Sequence, residues 1–341
     1  MKQSHYFKEI KMKNTLIKLF QHQRLTKGEA KKVLKQLATG CFNQAQIASF
    51  LTVYLMRSIS VDELAGFREA LLELAVKIDF SEYNTIDLCG TGGDGKNTFN
   101  ISTLTAFVIA GTGNKVSKHG NYGVSSVSGS SNVLEYLGYK FTNNESVLKN
   151  QLEKANICFL HAPLFHPAMK AVAPVRKELG LKTFFNMLGP LVNPCQPKNQ
   201  LVGVFNLEVA RLYNYLLQQL DINYGIVYSL DGYDEISLTG PFKLFRKINE
   251  QLITPNDLGL SRLQQTQLFG GNSVEDAAKI FVSILDGKGT EAQNNVVLTN
   301  AAFALKVIDK NKSFQDAFDE AKESLFSLKA KESLIKIITN I

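Results

Sequence analysis

The sequence predicts an α/β protein, a mostly parallel central sheet flanked by helices, together with a smaller all-helical domain. Three observations carry this. Residues 14–76 show helical spacing only; from Asp79 onward strand-length apolar runs alternate with helical segments; and Thr85, Ile86 and Leu88 lead straight into the glycine turn Gly90-Thr91-Gly92-Gly93-Asp94.

In the N-terminal stretch, Leu16, Ile17 and Phe20, then Ala30, Val33, Leu34 and Leu37, then Ile47, Phe50, Leu51 and Leu55 recur at spacings of three and four, the period of one helix face. Thr26 with Glu29 has capping-box spacing, and Ser60 before Asp62 and Glu63 marks another start. About four helices are expected.

Beyond Asp79, strands are expected at 85–88, 114–116 and 155–160, with crossover helices at 104–110 and 131–137. A helical passage covers 166–188, and Gly189-Pro190 with Asn193-Pro194 marks a boundary. Strands at 200–205 and 222–230 then flank a helix at 207–220, and helices at 273–285, 291–307 and 314–328 close the chain. In such sheets ligands bind at the carboxyl ends of the strands, where the Gly90 turn sits.

Composition narrows the function classes. Of 341 residues, 45% are apolar and 20% charged, ordinary for a globular protein. The 38 Lys and Arg against 31 Asp and Glu give +7, but without a long basic block or an interleaved aromatic stripe this reads as a solvated surface that favours anionic substrates. Four scattered cysteines, Cys41, Cys89, Cys158 and Cys195, make neither a disulfide framework nor a C-x-x-C pair. The polar N-terminus lacks a signal-peptide core, and the longest apolar run, near Ile47 to Met56, is too short to span a bilayer. A cytoplasmic location is expected.

Three stretches carry chemistry. The glycines of the first turn allow positive φ and close backbone approach, and Ser102 and Thr103 add hydroxyls at a helix start where orphan N–H groups favour phosphate. The turn fits neither the P-loop nor the dinucleotide fingerprint. A second cradle runs from Lys118-His119-Gly120-Asn121-Tyr122-Gly123-Val124-Ser125-Ser126 to Ser128-Gly129-Ser130-Ser131, combining a lysine, glycines, an amide and hydroxyls. Two cradles at two strand ends imply a ligand with two phosphate groups. The third stretch, Asp231-Gly232-Tyr233-Asp234-Glu235, is either an acidic surface turn or a pair of hard oxygen ligands for Mg²⁺ shared with phosphate.

Together these pieces resemble the anthranilate phosphoribosyltransferase family. The resemblance runs from about Asn14 to the C-terminal helices, through GTGGD at Gly90–Asp94, NIST at Asn100–Thr103, KHGN at Lys118–Asn121 and HPAM at His166–Met169. It continues through APVRKELG at Ala173–Gly180, FNMLGPLVNP at Phe185–Pro194 and DEISLTGP at Asp234–Pro241. It implies transfer of a phosphoribosyl group from phosphoribosyl pyrophosphate to anthranilate in tryptophan biosynthesis, by a Mg²⁺-dependent enzyme using two ions and acting as a homodimer. The resemblance assigns phosphoribosyl pyrophosphate to Gly90, Gly93, Asp94, Thr98, Asn100, Ile101, Ser102, Thr103, Lys118, His119, Gly120, Asn121, Tyr122, Gly123, Val124, Ser125, Ser126 and Ser130. It assigns metal to Ser102, Asp234 and Glu235, and anthranilate to Gly90, Asn121 and Arg176, whose guanidinium fork matches a carboxylate. No covalent nucleophile is implied, and His119, His166 and Cys89 read as packing residues.

Many members carry arginine after KHGN, whereas Tyr122 and Gly123 stand here; tyrosine offers phosphate a hydrogen bond but no charge. The helical domain is placed at 1–80 with about 170–192, and the α/β domain at about 81–169 with 193–341. Leu16, Phe20, Ile47 and Leu51 are candidates for a two-fold interface or for ordinary core. Two rivals differ in chemistry: a pyrimidine nucleoside phosphorylase would use inorganic phosphate and no Asp234–Glu235 metal pair, and a non-catalytic nucleic-acid binder would show steep salt dependence.

Overall fold

A computed structural model describes residues 11–123 and 127–339. The chain divides into two compact units, Met1–Ala75 with His166–Leu188, and Val76–Phe165 with Gly189–Ile341. Each junction falls a few residues before the one expected. The first has a local cause: the Val76 N–H donates to the Phe165 carbonyl at 2.8 Å, so the stretch after the fourth helix already belongs to the α/β unit.

The first unit holds the helices Met12–Phe20, Lys27–Ala38, Gln44–Met56 and Val61–Leu74, then Ala173–Leu179 and Phe185–Leu188. Reciprocal capping boxes start three of them, at Thr26 with Glu29, Asn43 with Gln46 and Ser60 with Glu63. Phe50, Tyr54, Phe67 and Phe184 pack as one aromatic cluster, with Phe67 and Phe184 stacked at 4.6 Å. Ile47 and Leu51 are buried here within the chain. The first helix buries Met12, Thr15 and Leu19, which leaves Ile17 and Phe20 exposed rather than inward; three-residue spacing alone does not fix which face turns in.

The second unit is built on a seven-stranded sheet: β1 (Ile86–Gly90), β2 (Val116–Gly120), β3 (Ile157–His161), β4 (Asn199–Gly203), β5 (Asn223–Ser229), β6 (Phe242–Phe245) and β7 (Glu250–Ile253). The order is β3-β2-β1-β4-β5-β6-β7, and β1 to β5 run parallel. Sequence periodicity did not anticipate β6 and β7, an antiparallel hairpin closed by the Arg246 N–H on the Asn249 carbonyl. Phe242, Leu244 and Phe245 are all buried in β6, and β7 is largely exposed, so neither shows the alternation that announces a strand. The helices Glu145–Ala155 and Lys329–Thr339 were likewise not expected.

The helix Ile101–Gly111 follows β1, and nine of its residues are buried. Its Phe107 meets Phe159 of β3 and Phe281 of the helix Val274–Leu285. Such a helix cannot slide without breaking core contacts, so its first turn is a rigid platform beside the end of β1.

Candidate active site

The carboxyl ends of β1 and β4 lie side by side, with Gly90 paired to Gly203. Both must be glycine for the same reason: a side chain at Gly90 would overlap the Asp234 carboxylate, and one at Gly203 the Asp234 backbone carbonyl. Gly92 and Gly93 take φ of 65° and 77°, and the Gly92 N–H donates to Asp234 Oδ2 at 2.6 Å. The glycine turn and the acidic turn after β5 are therefore one assembly.

Glu235 joins it beside Ser102 in the first turn of Ile101–Gly111, the two lining one small pocket. Lys118, 2% exposed, threads beneath from β2; its Nζ donates to the Leu88 carbonyl and lies 3.3 Å from Ser102 Oγ. Burial pushes the Asp234 carboxyl above its ordinary range, and the neighbouring charge of Asp94 adds to the shift. Burial, then the charge of Asp234, does the same to Glu235, with Lys118 opposing. Three carboxylates near one ammonium in a poorly solvated place leave an excess of acid that a divalent cation shared with a ligand's oxygens would offset. Among the described residues no three His, Cys, Asp or Glu are grouped so as to hold a metal by themselves.

The second loop is tied to the first. Asn100 does not cap its helix but donates through Nδ2 to the Ser128 carbonyl at 3.0 Å. The Asn121 carbonyl accepts from Ser131 N and Ser130 Oγ, both at 3.2 Å, and Asn132 Oδ1 accepts the N–H groups of Gly123 and Gly129. Gly120 ends β2 against Ser130, where a Cβ would crowd the hydroxyl. Val124, Ser125 and Ser126 lie outside the described residues.

The Tyr122 hydroxyl faces Glu135 at 3.4 Å and its ring stands edge-on to His161. His119 is buried with Nδ1 3.1 Å from the Gly189 carbonyl. Ile101 and Thr103 are each 1% exposed, so their side chains belong to the core and only their own backbone groups can face a ligand. Thr98 pairs with Phe269 in an isolated bridge just before the helix. Burial raises the Cys89 thiol to about 12, which keeps it a packing group and not a nucleophile.

Arg176 sits in the helical unit on Ala173–Leu179, its guanidinium 5.2 Å from the Phe185 ring centroid and 3.3 Å from Asn186 Oδ1. Its Nε is buried without a partner, and burial lowers its pKa. A partly desolvated guanidinium with donors to spare suits a carboxylate.

Sequence reasoning missed four supporting residues. Asp87 in β1 accepts from His119 N at 3.1 Å and Asn193 Nδ2 at 2.9 Å, which locks β1, β2 and the Asn193 loop together. Behind the acidic turn, Ser229 Oγ donates to the Glu235 carbonyl at 2.6 Å and Asn300 bonds the Ile236 backbone. The signal was present in one case: Asn300 interrupts an otherwise apolar helical run.

Residues 82–331 match a family described as glycosyl transferase family, a/b domain, and residues 13–75 match the helical bundle domain of such transferases. An anthranilate phosphoribosyltransferase from Flavobacterium johnsoniae is 61% identical over 326 residues, 96% of this chain and 98% of that protein. One from Bacteroides fragilis is 55% identical over 327 residues, 96% of this chain and 99% of the relative. Among solved structures, anthranilate phosphoribosyltransferase from Thermus thermophilus aligns with a TM-score of 0.88 at 32% identity, over 95% of this chain and 98% of its own. That from Saccharomyces cerevisiae, in complex with PRPP and Mg, aligns at 0.87 and 27% identity, over 97% and 98%.

Proposed function

We infer that this chain, which belongs to the glycosyl transferase family, moves the 5-phosphoribosyl group from phosphoribosyl pyrophosphate to the amine of anthranilate. The products are N-(5-phosphoribosyl)anthranilate and pyrophosphate. The observation that carries this reading is the joint between the glycine turn and the acidic turn, Gly92 N–H to Asp234, with Glu235 and Ser102 lining one pocket beside it. It combines anion-binding backbone with cation-binding carboxylates, as a sugar pyrophosphate with its metal requires.

Gly90 to Asp94, Asn100 to Thr103 and the Lys118–Ser130 stretch hold the phosphates, mostly through backbone N–H groups. Asp234, Glu235 and the Ser102 hydroxyl would hold Mg²⁺, the resemblance implying two ions. When bound there, Mg²⁺ offsets the charge gathering on the departing pyrophosphate. Lys118, already pinned by Leu88, adds a fixed positive charge near the same oxygens. The Arg176 guanidinium matches the anthranilate carboxylate, and the resemblance also gives Gly90 and Asn121 to the acceptor, whose amine must attack in line with the departing group. As the new C–N bond forms, the C–O bond to pyrophosphate breaks and its electron pair leaves with that group, and the nitrogen then gives up one proton to solvent or to the released pyrophosphate. Orientation and electrostatics supply the acceleration.

A homodimer through the helical unit is supported by Ile17, Phe20, Leu55 and Met56, which are exposed apolar residues on its first and third helices. A cytoplasmic setting fits the observation that no helix among the described residues is long and apolar enough to cross a membrane.

Mixing protein, anthranilate, phosphoribosyl pyrophosphate and Mg²⁺ should consume anthranilate fluorescence, and omission of Mg²⁺ should stop it. Phosphorolysis of thymidine without Mg²⁺, in place of that transfer, would overturn the reading.

A further inference from the structure

Asn300 lies in the body of the helix Glu291–Ile308 and is 2% exposed. An amide there is costly on two counts, weak helix propensity and desolvation of four hydrogen-bonding positions. It is nonetheless well satisfied. Oδ1 accepts the Ile236 N–H at 3.1 Å, and Nδ2 donates to the Ile236 carbonyl and to the Val296 carbonyl, each at 2.9 Å. One side chain thus pairs with both backbone groups of a single residue, as a neighbouring strand would, in the stretch between β5 and β6 where no strand is present.

Ile236 directly follows Glu235. On the other side of the shared peptide, Ser229 Oγ donates to the Glu235 carbonyl at 2.6 Å. The peptide that carries the Glu235 side chain is therefore gripped from β5 and from the helix at once. Glu235, Ser102 and Asn300 also line one small internal pocket. Asp234 and Glu235 are neighbours on a turn outside any strand or helix, so their pose depends on what holds the turn's backbone. Left to a loop alone, the two carboxylates would turn apart into solvent and would have to be gathered again at each binding event.

We propose that Asn300, assisted by Ser229, is a positioning residue that holds Glu235 in its cation-binding pose through the Ile236 backbone. This rests on the reading of Asp234 and Glu235 as metal ligands. Neither Asn300 nor Ser229 touches the cation or a substrate; each acts on affinity by keeping the carboxylates assembled before the cation arrives. Partners behind metal ligands typically contribute 10–100-fold in affinity, and for a clamp acting through backbone the lower end is expected.

The test uses the full-length protein with phosphoribosyl pyrophosphate and no anthranilate, so that no turnover occurs, and follows Mn²⁺ binding by electron paramagnetic resonance. Asn300→Ala should weaken Mn²⁺ binding about tenfold, and Ser229→Ala by a smaller factor. In turnover, both should raise the half-saturating Mg²⁺ concentration, leave the KM for anthranilate within about twofold, and recover most of kcat at high Mg²⁺. A merely structural role would lower the folded fraction without moving either metal readout. Should Asn300→Ala not fold, Ser229→Ala decides. Glu235→Gln separates the two readings. If it leaves Mn²⁺ binding unchanged, the metal assignment itself fails; if it abolishes binding while both clamp variants bind like the parent protein, the clamp is refuted.

Discussion

Each unit of this protein buries carboxylates, and Glu63 in one and the Asp234–Glu235 pair in the other are treated in opposite ways. In the helical unit the Glu63 side chain is 0% exposed, and protein groups meet both its oxygens. Arg57 closes a fork at 2.6 and 3.0 Å, Leu25 N and Ser60 N donate at 3.0 and 2.9 Å, and Tyr54 OH at 3.2 Å. Burial alone would raise its pKa, but Arg57 and the backbone donors outweigh it and hold Glu63 below the ordinary carboxylate range. In the α/β unit Asp234 takes the Gly92 N–H and stands near Asp94, Glu235 has Asp234 and Asp94 near it with Lys118 opposing, and burial raises the pKa of both. A carboxylate whose partners all come from the chain is architecture; carboxylates crowded together with too few partners are poised for a ligand from outside.

That contrast can be broken by exchanging the outcomes. Glu235→Gln should give the largest change, a loss of kcat of about 10²–10³-fold, with a melting temperature no lower than the parent's, since a like charge has been removed. Parallel kinetics and calorimetry check both halves; retained activity with lost stability would make Glu235 the structural residue. Glu63→Gln should do the reverse. Breaking a buried pair by removing one partner destabilises by about 3 kcal/mol, read by denaturant titration, while kcat per folded molecule stays the same.

Arg176→Ala should raise the KM for anthranilate about tenfold, the value of one charge-assisted contact, with little change in the KM for phosphoribosyl pyrophosphate. Equal changes in both would remove Arg176 from the acceptor site. The smallest effect is in pH. Because the native pKa of Glu63 lies below its ordinary value of 4.5, its stabilisation is fully present above that value. It is lost as pH falls from about 4.5 through the lowered native value. Melting curves from pH 6 downward should show this slope in the parent and a flatter one in Glu63→Gln.

How far the sequence reached differs between the same two regions. Capping boxes at Thr26 and Ser60 were legible because a cap is made by residues three apart. The order of the parallel strands was not, and neither was the β6–β7 hairpin, whose inner strand is buried almost throughout and whose edge strand is mostly exposed. At the site, the glycine turn, the lysine loop and the acidic turn could each be read from local chemistry. That Tyr122 is engaged by Glu135 and His161 could not, since His161 arrives from the far end of β3.

By itself the sequence determined the fold class, the three chemistry-bearing stretches and the kind of ligand they suit, because glycine φ, helix caps and hard-oxygen donors are properties of a few adjacent residues. Only the tertiary structure decided that Gly90 and Gly203 must both be bare to admit Asp234, and that Asn300, more than sixty positions downstream, grips the backbone beside Glu235. Those facts belong to the register of parallel strands and the seating of one buried helix. Both are set by packing among segments far apart in the chain, which no local pattern encodes.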